Sequence, residues 1–218
     1  DEAYVLKVVQ FQELLDVRHS VFILGPAGCG KTSIWKGLCA CNNLKEDWKE
    51  QPIGSSFVKK DIAVYEQVNP KSVITDELYG YMTLAKDWKD GVLSIIMRNM
   101  SKNNAPFADS QTMKWVILDG DIDAVWIESM NTVMDDNKVL TLVSNERIPF
   151  TPTMRMLLEI QDIKHASPAT VSRGGVLFIN EIDVGWKPFV ESWREKMDAV
   201  AQSTFYLLFS EYFDQNID

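Results

Sequence analysis

The chain has few of the residues that build disulfide frameworks and zinc sites. Among its 218 residues are three cysteines (Cys29, Cys39 and Cys41) and two histidines (His19 and His165). The cysteine count is odd and no C-x-x-C pair occurs, which disfavours a disulfide framework and a zinc site. Cys39 and Cys41 are two residues apart on a predicted helix, so they point in different directions and cannot easily share a metal. This cysteine usage favours a reduced, intracellular setting.

Long apolar runs and an excess of positive charge are absent as well. No stretch reaches the ~20 uncharged apolar residues that cross a bilayer, and the first residues lack the basic-then-apolar order of a signal peptide. The net charge is −9 at pH 7, which disfavours a surface that binds nucleic acid or anionic lipid. We therefore expect no nucleic-acid partner and no membrane partner.

Five short apolar segments predict the strands of a sheet. Hydrophobic residues make up 46% of the sequence, enough to bury one α/β core. The continuous apolar run 21–24, stopped by Gly25 and Pro26, is typical of a strand buried on both faces of a parallel sheet. Helical patterns separate the strands, which predicts an open, mostly parallel five-stranded sheet with helices on both faces. The other predicted strands are 62–68, 114–118, 155–160 and 175–179.

Helices, loops and one hairpin are predicted between and after these strands. The polar residues 144–146, between 139–142 and 147–150, predict a β-hairpin insert. Apolar periodicity then predicts the start of a C-terminal helical part. We therefore divide the chain into an α/β unit over 1–185 and a truncated helical unit over 186–218. The remaining predictions are a helix ending near 18–19, helices over 32–44, 88–100, 189–200 and 203–213 and one from 75, and polar loops over 45–56 and 101–112.

The strongest motif is a phosphate-binding loop at 25–32, a complete G-x-x-x-x-G-K-[ST] pattern between a predicted strand and a predicted helix. Its glycines let backbone N–H groups curl around phosphate oxygens, and the helix that begins near Lys31 adds the positive end of its dipole. Lys31 is expected to reach the β- and γ-phosphates, and the Thr32 hydroxyl to bind Mg²⁺. The pattern predicts a P-loop NTPase fold that binds ATP or ADP with Mg²⁺. The predicted nucleotide-binding residues are Gly25, Pro26, Ala27, Gly28, Cys29, Gly30, Lys31, Thr32, Ser33 and Asp119.

A second motif ends the third predicted strand. Four apolar residues, 115–118, lead to Asp119, which is the Walker B pattern. A carboxylate at the carboxyl end of such a strand holds Mg²⁺ through water. Thr32 and Asp119 are therefore the predicted magnesium ligands.

The residue after Asp119 bears most directly on catalysis. AAA+ modules, which these two motifs resemble, usually place Glu there to orient and deprotonate the attacking water, whereas this chain has Gly120. General-base help contributes roughly 10²–10⁴-fold to rate, so we expect nucleotide binding with poor hydrolysis. Two alternatives stay open. One is a self-sufficient ATPase that uses Asp121 or Glu128 as the base, and the other is a structural module whose pocket is vestigial.

Two further polar residues lie at positions where AAA+ modules carry functional side chains. Gln161 follows the fourth predicted strand, where it is either a sensor 1 residue facing the γ-phosphate or an ordinary polar strand end. Arg173 comes just before the fifth strand, where it is either an arginine finger directed at a neighbour's nucleotide or a surface salt-bridge residue.

Several longer stretches resemble one family, the dynein heavy chains, in the second AAA+ module of their motor ring. The similarity runs in order from about residue 21 to residue 193. The residues at 145–149 and 183–186 are closer to those of axonemal outer-arm heavy chains than to those of cytoplasmic ones. The resemblance implies a cytoplasmic, cytoskeletal location in a ciliary or flagellar axoneme. The stretches that carry the resemblance are 69–71, 77–80, 88–92, 118–123, 126–138 and 167–173.

The resemblance implies an AAA+ module in a microtubule motor. It implies contacts with neighbouring AAA+ modules and with the linker of the same heavy chain, and with the microtubule only through the parent protein. It also implies a module that binds nucleotide without efficient hydrolysis, a hairpin at 139–150 that contacts the linker, and an Arg173 that reaches the first module's nucleotide. The residue equivalent to the family's sensor 2 is expected beyond residue 218.

Overall fold

The computed structural model describes residues 2–43, 63–104, 106–107, 112–185 and 187–212. The predicted loop over 45–56 lies outside these residues. So do residue 44 of the predicted helix 32–44, residue 62 of the second predicted strand, part of the predicted loop over 101–112, and residue 213 of the last predicted helix.

The core of the fold is a five-stranded sheet in which all neighbouring strands are parallel, as predicted. Its strands are β1 (Ser20–Leu24), β2 (Ala63–Val68), β5 (Met113–Asp119), β8 (Met154–Ile160) and β9 (Gly175–Phe178). Their order across the sheet is β2-β5-β8-β1-β9, so the first strand of the chain is an inner strand next to the edge strand β9. Every residue of β1 is buried, because helices cover both faces.

Alternate residues of the inner strands enter two separate apolar layers. Val21 and Ile23 of β1 point into one layer, together with Trp35 from α2. Phe22 and Leu24 point into the other layer, which holds the buried residues of α4 and α5. The helices are α1 (Glu2–Val17), α2 (Lys31–Asn42), α3 (Thr75–Tyr79), α4 (Val92–Ser101), α5 (Ala124–Met134), α6 (Pro168–Arg173), α7 (Glu181–Val184), α8 (Lys187–Arg194) and α9 (Ala199–Tyr212).

The predicted helix over 88–100 is wrong in its first turn. Trp88–Asp90 forms a strand, β4, that pairs antiparallel with β3 (Gly80–Met82), and α4 begins only at Val92. The reason is Gly91, whose backbone is extended and where a Cβ would lie 2.4 Å from the Leu78 carbonyl. The extended Gly91, packed against Leu78, is the N-cap of α4, so the residues before it pair with β3 and do not join the helix.

The predicted hairpin is present, since β6 (Val139–Thr141) pairs antiparallel with β7 (Arg147–Pro149). One arginine joins this hairpin to the β3–β4 ribbon. The Arg98 guanidinium of α4 donates to both oxygens of Asp90, at 2.7 and 3.0 Å, and to both oxygens of Glu146, at 2.6 and 2.9 Å. The two hairpins are thereby held together through α4.

The C-terminal helices also depart from the sequence-based boundaries. The predicted break at 201–202 falls instead between α8 and α9, at 195–198. Asp198 explains the shift, because its carboxylate accepts the backbone N–H groups of Val200 and Ala201 and so starts α9 early. Within the described residues, no helix combines the length and the apolar character needed to cross a membrane.

Candidate nucleotide-binding site

The loop 25–32 connects the carboxyl end of β1 to the amino end of α2, where its sequence requires glycine for two different reasons. Gly28 and Gly30 adopt φ of 82° and 98°, which side chains with a Cβ rarely tolerate. Gly25 is needed for space, since a Cβ there would lie 2.4 Å from the Ile179 carbonyl oxygen and 2.6 Å from Cys29 Sγ. The backbone can therefore fold tightly, with its N–H groups available to phosphate oxygens.

The remaining loop residues divide into an inner and an outer side. Cys29 is buried, Pro26 is half-buried, and Ala27 and Gly28 are exposed. On the helix side, the Ser33 carbonyl accepts the Tyr4 hydroxyl at 2.8 Å. These contacts anchor the loop to the body of the fold and leave its tip open to solvent.

Lys31, the first residue of α2, folds over this loop. Its ammonium group donates to the carbonyl oxygens of Gly25 and Pro26, both at 2.7 Å. The positive charge is thus already at the phosphate loop and at the amino end of a helix, where anions are stabilised.

The Thr32 hydroxyl has a partner that the sequence analysis missed. It donates a short hydrogen bond to Oε1 of Glu159, and the Trp35 indole N–H donates to Oε2 of the same carboxylate at 2.9 Å. Glu159 is only 6% exposed and is directly opposite Asp119 in the β5–β8 register. The signal that could have revealed Glu159 in the sequence is an acidic residue within the otherwise apolar end of a strand, one position before its last residue.

Asp119 lies at the end of β5, as predicted, on the same edge of the sheet as the loop. Its Oδ2 accepts the side-chain amide of Gln67 at 2.9 Å. Asp119 and Glu159 are therefore neighbours on adjacent strands, and each carboxylate accepts hydrogen bonds from neutral donors only. No ion pair between described residues includes either of them. Two neighbouring negative charges without a cation fit a divalent metal ion.

The protein groups alone do not form a closed metal cage. Among the described residues, no group of three or more His, Cys, Asp or Glu side chains is arranged to hold a metal ion. Mg²⁺ usually binds through one or two carboxylates together with substrate phosphates. The hydroxyl of Thr32 and the carboxylate of Asp119 fit this arrangement, in which most ligands come with the nucleotide and water.

Gly120 occupies the position where a general base is expected, and its surroundings leave little room for a side chain. A Cβ at this residue would lie 2.9 Å from Oδ1 of Asn69 and 3.4 Å from Cδ of Pro70. The same Asn69 oxygen accepts the backbone N–H of Lys71 at 2.9 Å. The loop after β2 therefore fills the space beside the strand end.

The two alternative bases lie in different environments. Asp121 is at the carboxyl edge of the sheet, where Oδ1 accepts the backbone N–H of Gln161 at 3.0 Å and Oδ2 lies 3.9 Å from the Lys71 ammonium. Glu128 is exposed on α5. The structure thus brings Asp121 and Gln161 together at the edge that carries the phosphate loop, with the Gln161 side chain exposed.

Arg173 lies away from the chain's own phosphate loop. It is the last residue of α6 and comes two residues before β9, so it is at the amino end of the parallel strands, whereas the loop is at their carboxyl ends. Because β9 is four residues long, its two ends are about 10 Å apart. The guanidinium donates to the Ala169 carbonyl at 3.0 Å. Any contact between Arg173 and a nucleotide would therefore involve one outside this chain's own site.

The fold agrees with what known proteins show. The protein family "AAA domain (dynein-related subfamily)" matches residues 20–174, which include four of the five strands of the sheet and end just before the fifth, β9. The chain belongs to this family. A parallel five-stranded sheet flanked by helices is the fold of an AAA domain, for which nucleotide binding is the family-level function.

Several dynein heavy chains are similar to this AAA domain along nearly its whole length. The flagellar outer-arm dynein beta chain of Chlamydomonas reinhardtii is 51% identical over 98% of the chain. A ciliary dynein beta chain of Heliocidaris crassispina is 48% identical, and the human dynein axonemal heavy chain 17 is 46% identical, both over 100% of the chain. The chain spans only 4% of the length of each of these relatives.

Proposed function

We propose that this AAA domain binds ATP or ADP with Mg²⁺ and hydrolyses ATP poorly, so that it acts as a regulatory module. The proposal depends on one juxtaposition at the sheet edge. A complete phosphate loop with Lys31 folded over it lies beside a strand that ends in Asp119 and Gly120, and Asn69 fills the space where a glutamate side chain would begin. Binding groups are present, and the usual water-activating group is not.

Within its parent protein, we place the domain as the second AAA+ module of an axonemal dynein motor ring. The similarity to flagellar outer-arm and ciliary dyneins supports an axonemal, cytoskeletal location. Its partners would be the neighbouring AAA+ modules and the linker of the same heavy chain, and the microtubule through the parent only. The position of Arg173, at the sheet end opposite the phosphate loop, is compatible with a finger that serves a neighbouring module's nucleotide.

Nucleotide binding is tested by isothermal titration of Mg-ATP and Mg-ADP into the 218-residue chain. Saturable binding is expected, and Lys31→Ala should abolish it because the ammonium group at the loop is lost. Lys102→Ala is the matched control, since this exposed lysine follows α4 and takes no part in the loop. Absence of heat in the unsubstituted chain would overturn the proposal.

Stability and turnover separate the two alternatives. A ligand at 100 times its dissociation constant stabilises a protein by about 2.7 kcal/mol, so a melting temperature that does not change with nucleotide would favour a vestigial pocket. Steady-state hydrolysis at ordinary enzyme rates would favour a self-sufficient ATPase. Asp121→Asn would then abolish turnover if Asp121 is the base, and Glu128→Gln would do so if Glu128 is.

A further inference from the structure

Glu159 lies at the centre of a row of polar side chains that crosses the sheet edge beneath α2. Gln67 of β2 donates to Asp119 of β5, and Asp119 is opposite Glu159 of β8. Glu159 in turn accepts from Thr32 and from Trp35, both of α2. The row connects the Walker B strand to the residue of the loop that is expected to bind Mg²⁺.

The hydrogen bond from Thr32 has a chemical consequence. A threonine hydroxyl has one proton to donate and two lone pairs that can accept or bind a metal. When the proton is directed to Glu159, both lone pairs remain for Mg²⁺. Asp119 does not hold this proton, since the single hydroxyl proton of Thr32 is directed to Glu159; Oδ2 of Asp119 accepts from Gln67.

The Glu159 carboxylate is itself held in place. Trp35 is fully buried, and its indole N–H takes the second carboxylate oxygen at 2.9 Å. Both oxygens are therefore occupied by donors from the same helix, which restricts rotation of the carboxylate. Groups that orient a metal ligand in this way commonly affect metal affinity strongly.

We propose that Glu159 is a positioning residue for Mg²⁺: it fixes the Thr32 hydroxyl with its lone pairs free and adds a second negative charge beside Asp119. This inference rests on the proposed nucleotide binding and deepens it. It assigns to β8 a role in the metal site, in addition to the loop and the Walker B strand.

The test compares nucleotide affinity with and without magnesium. A fluorescent ADP analogue is titrated into the 218-residue chain in EDTA, and Mg²⁺ is then titrated into the analogue-loaded chain. For Glu159→Gln we expect the affinity in EDTA to be retained, while Mg²⁺ binds about 10- to 100-fold more weakly. Glu66→Gln is the matched control, because it also removes the charge of a partly buried glutamate on a strand. Glu66 is next in the chain to Gln67, which is the residue hydrogen-bonded to Asp119.

A second cycle tests whether Glu159 acts through Thr32. In a Thr32→Ala background, Glu159→Gln should weaken Mg²⁺ binding little further, because the hydroxyl to be positioned is already gone. An unchanged loss in that background would mean that Glu159 acts by charge alone and would overturn the positioning role. Equal Mg²⁺ affinity in the unsubstituted chain and in Glu159→Gln would overturn the whole inference.

Two further outcomes keep the inference separate from the proposed function. If the unsubstituted chain binds no nucleotide in either buffer, the proposed function fails first, and the inference fails with it. If Glu159→Gln shows no cooperative melting, Glu159→Asp is used in its place, since it keeps the charge but is too short to reach both Thr32 and Trp35. Weakened Mg²⁺ binding in that variant supports the inference, and unchanged binding contradicts it.

Discussion

Substituting Gly120 by glutamate would place a carboxylate where AAA+ modules usually carry their general base. We expect that this change alone will not restore fast hydrolysis, because the space beside the strand is occupied. A Cβ at residue 120 would lie 2.9 Å from Asn69 Oδ1 and 3.4 Å from Pro70 Cδ. Asn69 cannot move away freely, since the same oxygen accepts the Lys71 N–H at 2.9 Å.

The expected magnitude follows from these contacts. Losing the hydrogen bond to Lys71 costs about 1 kcal/mol, and crowding against Pro70 adds up to about 1 kcal/mol. The predicted destabilisation of Gly120→Glu is therefore about 1–2 kcal/mol. At roughly 2–4 °C per kcal/mol for a domain of this size, the melting temperature should fall by about 2–8 °C.

The assay uses denaturant unfolding for stability and phosphate release for turnover. Gly120→Ala introduces only the Cβ and should already show most of the loss. Asn69→Ala should lower the free energy of unfolding by about 1 kcal/mol when residue 120 is glycine. It should lower it little further when residue 120 is alanine, so that the two changes are coupled. Turnover should rise only when Gly120→Glu is combined with Asn69→Ala.

The reasoning is refuted if Gly120→Glu alone keeps the original stability and raises hydrolysis by about 10²-fold or more, the gain that a well-placed base provides. That result would show that the strand end accommodates a side chain without moving the loop after β2.

Two further predictions concern the Arg98 link between the hairpins. Arg98→Met should lower the free energy of unfolding by about 1–2 kcal/mol, because two partly exposed ion pairs of about 0.2–1 kcal/mol each are lost along with their charge-assisted geometry. Denaturant unfolding measures this loss. High salt should reduce the difference in stability between the original chain and the variant. The pH dependence follows from the same contacts, since hydrogen bonds from Arg98 hold the pKa of Asp90 and of Glu146 below their ordinary values of 3.8 and 4.5. This stability is fully present above those ordinary values and is lost as the pH falls through the lower pKa values of the folded state, which acid titration of the unfolding midpoint detects.

The matched control for both is Lys102→Met, which removes a nearby exposed cation at the end of the same helix. Arg98→Met should reduce the loss of unfolding free energy that accompanies a fall in pH, whereas Lys102→Met should leave this acid dependence largely unchanged. An identical acid dependence in the original chain and in Arg98→Met would contradict the assignment of the depressed pKa values to Arg98.

Local pattern was sufficient where a function needs consecutive residues. The phosphate loop could be predicted because glycine at 28 and 30 is required by backbone conformation, and lysine and threonine must follow directly at the helix start. The three inner strands could be predicted because parallel strands covered on both faces are short apolar runs. Their locations in the structure confirm this fold class.

Patterns failed where a distant backbone segment decides the local conformation. Trp88 and the two residues after it suit a helical periodicity, but the approach of Gly91 to Leu78 makes them a strand. The break between α8 and α9 has a local cause instead: the carboxylate of Asp198 caps the start of α9, so the hydrophobic period alone does not locate it.

The sequence by itself determined that this chain has a phosphate loop, a Walker B aspartate and no glutamate after it, since each of these is a matter of residue identity at fixed spacing. Only the tertiary structure showed that Glu159 accepts the Thr32 proton and that Asn69 closes the space beside Gly120. These contacts join residues far apart in the chain, on strands whose neighbours are decided by the order of the sheet. No local pattern carries that order, because it results from how all the strands and helices bury their apolar faces together.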